Sequence, residues 1–108
     1  MKQLKGKVAA VTGAASGLGR SMALAFAAEG MDVALADVDQ LNLSSVEKEI
    51  QDLGVRAITL KVDVSQAEQV DAFRDQTLAR LGAIHVVCNN AGVSPLGAVW
   101  ENLSLIHI

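Results

Sequence analysis

The chain has 108 residues, 51% of them apolar and 19% charged, and a formal charge of −3. That composition excludes a disordered polymer, and the absence of a basic cluster excludes an electrostatic footprint for nucleic acid. The longest unbroken apolar run, Met22 to Ala28, falls well short of the roughly 20 residues that span a bilayer, so no membrane is a partner. A lone Cys88 can form neither an internal disulfide nor a metal cluster and reads as a small buried hydrophobe; the expected address is cytoplasmic.

Taken in order, the apolar run Val8 to Val11 predicts a strand, and Thr12-Gly13-Ala14-Ala15-Ser16-Gly17-Leu18-Gly19 joins it to an amphipathic helix. In that helix Leu18, Met22, Ala25, Phe26 and Glu29 sit at helical spacing, and Gly30 stands where a left-handed C-terminal cap belongs. Val33 to Ala36 is a continuous apolar run, the pattern of a strand buried on both faces, and it stops at Asp37. Asp39 is expected to cap the second helix, whose inner face reads Leu43, Val46, Ile50 and Leu53 before Gly54. Ala57 to Val62 is the third strand. Ser65-Gln66-Ala67-Glu68 has the form of a capping box opening a third helix, with Val70, Phe73, Thr77 and Leu81 inward and Gly82 at its end. Ile84, Val86, Val87 and Cys88 then form a fourth strand that runs into Asn89-Asn90-Ala91-Gly92.

Strict alternation of strand and helix demands parallel strands with right-handed crossovers, which is an α/β fold with a doubly wound, Rossmann-like parallel sheet in three layers, α/β/α. The strand order expected for this fold is 3-2-1-4. Four loops, at Gly13 to Gly19, Asp37, Asp63 and Asn89 to Gly92, then follow the C-terminal ends of strands and converge on one rim where strand order reverses.

The glycine loop carries the first chemical signal. Three glycines in the seven residues from Gly13 to Gly19 permit positive φ and let a ligand lie against bare main chain. The helix they open presents unpaired N–H groups and the positive end of its dipole to a phosphate. The spacing is G-x-x-x-G-x-G rather than the usual dinucleotide fingerprint G-x-G-x-x-G. With its leading threonine, TGAASGLG resembles the TGxxxGxG element of the short-chain dehydrogenase/reductase family, and Asn89-Asn90-Ala91-Gly92 resembles that family's NNAG element in full.

Asp37 lies 18 positions after Gly19, close to the roughly 20 expected for the acid that accepts from an adenosine ribose. Its charge would repel the 2′-phosphate of NADP, and neither Val38 nor Ser16 is the Arg or Lys that NADP-preferring relatives tend to carry, so the expected cofactor is NAD. A plain turn or N-cap aspartate is the alternative reading. The resemblance implies that Asp63 and Val64 line an adenine pocket; equally, Asp63 can stabilise the helix beyond it by its negative charge. Asn90 is assigned to cofactor contact with Ala91 and Gly92 letting the chain pass close to the ribose, and Asn89 to structure. The predicted cofactor-binding set is therefore Gly13, Ser16, Gly17, Leu18, Gly19, Asp37, Asp63, Val64, Asn90, Ala91 and Gly92. His85 departs from the aspartate common in relatives and is expected to be a solvated or capping residue at the strand's start.

The family resemblance implies an oxidoreductase moving a hydride between NAD and a small-molecule alcohol or carbonyl substrate, in a homo-oligomer. It also implies a catalytic Tyr-x-x-x-Lys pair, yet this sequence contains no tyrosine. The chain is therefore expected to be the cofactor-binding segment of a single-domain enzyme, inactive by itself, with strand four lacking a neighbour on its far edge. The alternatives are a non-catalytic NAD-binding protein and a related epimerase or dehydratase. Residues 103–108, Leu103 to Ile108, break the pattern and match an in-frame translation of a common sequencing-library transposon adapter. They are expected to be a non-native tail, leaving 1–102 as the nucleotide-binding segment; a natural helix or strand is the other reading.

Overall fold

The structure, a computed structural model, describes residues 3–90 and 106–107. Strands β1 (Val8–Thr12), β2 (Asp32–Asp37), β3 (Ala57–Lys61) and β4 (Val86–Asn89) alternate with helices α1 (Gly17–Ala28), α2 (Gln40–Gln51) and α3 (Ala67–Leu81), and a two-residue strand β5 (Ile106–His107) follows. All strands pair in parallel in the order β3-β2-β1-β4-β5. The expected 3-2-1-4 order holds. The outer edge of β4, expected to be bare, is paired instead with β5, in the register Val86↔Ile106 and Val87↔His107.

Side chains that alternate along each strand reach opposite layers, because the strand period is two. Val11, Val33, Leu35 and Cys88 pack under α1 and α2 with Ala23, Leu43, Val46 and Ile50. Val8, Ala10, Ala34, Ile58 and Val87 pack under α3 with Val70, Phe73 and Leu81. Every residue of β1 is buried, as a central parallel strand covered on both faces requires. Among the described residues, two helices on one face and one on the other make the three-layer sandwich.

The ends of the helices follow their sequence signals with one exception. Gly30, at φ +87, closes α1: its N–H donates to Ala27 O at 2.9 Å and the Met31 N–H to Phe26 O at 3.1 Å, the paired bonds of a Schellman motif. Met31 and Phe26 also pack together, the apolar contact that accompanies such a cap. Asp39 caps α2 by accepting from the Asn42 N–H at 3.2 Å, and Gly82, at φ +86, ends α3. The exception is the capping box at Ser65. Gln66 is the N-cap of α3 and makes no side-chain cap bond. The Ser65 N–H and hydroxyl both donate to Asp63 Oδ1, at 3.0 and 2.7 Å. Both Ser65 donors are thus taken by Asp63 in a local side-chain turn rather than by the helix start.

Two inner faces also differ from the spacing argument. On α1 the buried line is Gly19, Ala23 and Ala27; Leu18 is 67% exposed, Ala25 is exposed, and Met22 and Phe26 are half-buried. The face nearest the sheet takes the smallest residues because the helix sits against the backbone of the Gly13 turn, and the larger apolar side chains lie to either side. Leu53 falls beyond the end of α2 and is 50% exposed.

Candidate nucleotide-binding site

The site forms where β1 and β4 part, with α1 and α2 covering one face and α3 the other. The Thr12 hydroxyl donates to Asn89 Oδ1 at 2.7 Å, and the Asn90 N–H to Thr12 O at 3.4 Å, so the two strand ends are tied side by side. A cleft of about 430 Å³ opens above them. That falls within the roughly 300–1,000 Å³ of small-molecule and cofactor sites. Among the described residues its lining comes from four loops. Gly13, Ser16, Leu18 and Gly19 belong to the glycine turn, Asp37 and Val38 follow β2, Val62, Asp63 and Val64 follow β3, and Asn90 follows β4.

The glycine turn is shaped for close approach. Gly13 and Gly17 have φ of +63° and +58°, backbone that a side chain disfavours. Gly19 lies within α1, where a Cβ would collide with the Gly13 carbonyl, 2.6 Å from its carbon. Ser16, the N-cap of α1, has extended backbone and makes no side-chain cap bond, and the first turn contains no acid. The helix start is thus not neutralised by its own side chains, and its N–H groups suit an anion. Gly17 shapes this turn without lining the cleft.

Asp37 ends β2 with its carboxylate between two main-chain donors. Oδ2 accepts from the Ala15 N–H at 3.0 Å and Oδ1 from the Asp39 N–H at 3.1 Å. Each carboxylate oxygen has a second acceptor position. Asp63 lines the same cleft, and its bonds to Ser65, first from the hydroxyl and then from the N–H, hold its pKa below the ordinary 3.8. Asp63 organises the turn before α3 and faces the cleft. Val64 adds apolar lining. Val38 and Val62 line the cleft and were absent from the predicted set; each flanks a strand-end acid, which is the signal that could have found them. Ala91 and Gly92 lie outside the described residues, as do residues 93–105.

Cys88 is buried at 2% exposure; desolvation pushes its thiol pKa up, and the Asn90 amide donates to its Sγ at 2.9 Å. Among the described residues no cluster of His, Cys, Asp or Glu could hold a metal ion, and no helix is long and apolar enough to cross a membrane.

A doubly wound parallel sheet with a glycine turn, an uncapped helix start and a strand-end acid meeting at its switch point defines a Rossmann-type nucleotide-binding fold. The sequence model of the short chain dehydrogenase family matches residues 7–104, and the chain belongs to that family. It is 34% identical over 90 residues to the 7alpha-hydroxysteroid dehydrogenase of Escherichia coli, covering 83% of this chain and 35% of that protein. A short chain dehydrogenase/reductase from Burkholderia phymatum, solved in complex with NAD, is 42% identical with a TM-score of 0.81, over 86% of this chain and 33% of the other. An alcohol dehydrogenase from the archaeon Thermococcus sibiricus, solved with 5-hydroxy-NADP, is 37% identical with a TM-score of 0.73, over 76% and 35%. The chain spans about a third of the length of these relatives.

Proposed function

We propose that the chain supplies the NAD-binding part of an oxidoreductase that transfers a hydride between NAD and a small-molecule alcohol or carbonyl compound. The whole protein, in this reading, is a cytoplasmic homo-oligomer. The observation that carries the reading is the Asp37 carboxylate, lining the cleft at the end of β2 with no Lys or Arg at Val38 or Ser16. When bound, the nicotinamide ring supplies the hydride acceptor or donor. The residues of this chain bind and orient. The N–H groups at the start of α1 and the bare main chain of Gly13 receive the pyrophosphate, in a turn that Gly17 shapes, and Asp37 accepts from the ribose hydroxyls. Val38, Val62 and Val64 give an apolar bed to the adenine, Asp63 meets its exocyclic amine, and Asn90 with residues 91–92 borders the ribose.

Charge decides between the two dinucleotides. A hydrogen bond to a carboxylate contributes on the order of 1.5–3 kcal/mol. A 2′-phosphate charge about 4 Å from Asp37 would cost up to about 4 kcal/mol at an effective dielectric near 20. A third of that repulsion is already about tenfold selectivity, since each 1.4 kcal/mol is a factor of ten. Calorimetric titration of NAD and NADP into the chain and into Asp37→Ala tests this. NAD is expected to bind at least tenfold more tightly, with the preference collapsing in the variant; an unchanged preference refutes it.

A further inference from the structure

The Asp37 carboxylate is already engaged with the protein's own main chain, and the engagement crosses between loops. Its Oδ2 accepts from Ala15, in the middle of the glycine turn, and its Oδ1 from Asp39, which in turn caps α2. Ala14 and Ala15 are buried against the α1 and α2 side of the sheet. A donor on so buried a residue needs a partner inside the protein. The turn also contains two glycines at positive φ, the residue type with the most freedom to lose when ordered. Besides the Ala15 bond, the turn is anchored to β2 by the Ala14 N–H donating to Ala36 O at 3.2 Å.

We infer that Asp37 is a positioning residue for the phosphate-binding turn as well as a ribose contact, one carboxylate fastening the glycine turn to the end of β2 and to the entry of α2. The inference rests on the nucleotide reading above but predicts something the ribose contact alone does not. Removing the carboxylate weakens ligands that have no ribose hydroxyls for it to touch. It also follows that replacing Asp37 by a small neutral residue, the obvious way to admit a 2′-phosphate, loosens the grip on the pyrophosphate of both dinucleotides.

The test uses two ligands and one ligand-free measurement. ADP and 2′,3′-dideoxy-ADP are titrated into the chain, into Asp37→Ala and into Asp37→Asn, whose side-chain oxygen can still accept from Ala15. Amide hydrogen exchange is followed in the three nucleotide-free proteins. Asp37→Ala is expected to weaken dideoxy-ADP about tenfold, the scale of one lost hydrogen bond to a charged group. It is also expected to speed exchange at Ala15 at least tenfold while Val11 and Ala34, in the sheet, exchange as before. Asp37→Asn is expected to restore most of the Ala15 protection. Unchanged exchange at Ala15 in Asp37→Ala overturns the inference, as does dideoxy-ADP affinity that is indifferent to the substitution. Failure of the unsubstituted chain to bind ADP would overturn the proposed function instead, and the exchange rates would still decide the role of Asp37.

Discussion

Gly19→Ala is the sharpest test of how the cleft is built, because the substitution sets two opposite effects against each other. In an ordinary helix, Gly→Ala stabilises by roughly 1 kcal/mol through propensity. Here the added Cβ would fall on the Gly13 carbonyl, 2.6 Å from its carbon and 3.2 Å from the Cα of Ala14, and all of these are main-chain atoms. No rotamer change relieves such a contact; α1 must move away from β1. Over-packing costs about 1–3 kcal/mol, and a backbone collision belongs at the upper end. Net of the propensity gain, the loss is about 2 kcal/mol, which for a domain of this size lowers Tm by about 8–16 °C. Thermal melts by circular dichroism measure it, with Gly54→Ala as the reference. Gly54, at φ +89 with open space around it, should lose only about 1 kcal/mol to backbone strain. NAD affinity should fall at least tenfold in Gly19→Ala and stay unchanged in Gly54→Ala. A Gly19→Ala protein as stable as the parent, or more so, would refute the claim that the helix start is pressed against the turn.

Three further outcomes follow from local chemistry. His85 has its pKa lowered from the ordinary 6.5, first by desolvation and then by Lys7, so the unfolded chain takes up a proton more readily than the folded one. Its contribution to stability is full above about pH 6.5 and is lost as pH falls toward the lowered native value, so midpoints measured from pH 7.5 to 5 should decline less steeply in His85→Leu. Ser65→Ala removes the largest cause of the depressed Asp63 pKa, and a carbon-detected NMR titration should find that carboxyl moved back toward 3.8. Arg56 pairs with Asp32 at 2.8 Å and reaches the Arg80 and Leu81 carbonyls at the end of α3 at 3.4 and 3.5 Å. Its side chain is largely exposed, so Arg56→Ala should cost about 1 kcal/mol or less in urea denaturation, and less still at 1 M salt.

Most of the fold was legible because few residue patterns satisfy a parallel sheet. The runs Val8 to Val11 and Val33 to Ala36 contain no polar residue to break them, and each stops at the polar residue that turns toward the rim. Capping was legible where one residue decides it, at Gly30, Gly82 and Asp39. It failed at Ser65, where the S-x-x-E pattern is intact but Asp63, two residues earlier, takes both of the serine's donors. The inner face of α1 failed for a different reason. Hydrophobic spacing locates the largest apolar residues, whereas this helix is placed by its smallest: a glycine and alanines set how near it lies to β1, and Leu18 is left exposed at the cleft. The acids of the site were visible through their place after strands. Val38 and Val62 were not, since an apolar residue beside a strand end looks the same in sequence whether it covers a core or a ligand.

The departure at His85 shows why the far end of the sheet matters to the cleft. The His85 N–H donates to Val8 O at 2.9 Å and its Nδ1 accepts from the Val8 N–H at 3.0 Å, so one residue closes both main-chain groups of Val8 just before β1 and β4 begin to pair. From there the register runs Ala9↔Val86, Ala10↔Val87, Val11↔Cys88 and Thr12↔Asn89. At the other end the Thr12 hydroxyl meets Asn89 Oδ1, and Asn90 enters the cleft. A slip of one residue would send every β4 side chain to the opposite layer and separate Thr12 from Asn89. What position 85 requires is an acceptor, and a neutral imidazole serves as a carboxylate would; desolvation, and then the Lys7 charge, lower its pKa from the ordinary 6.5 and so favour the neutral form in which Nδ1 can accept. The pinned register makes the placement of Asn90 beside the glycine turn a consequence of pairing along all of β4 rather than of the loop alone.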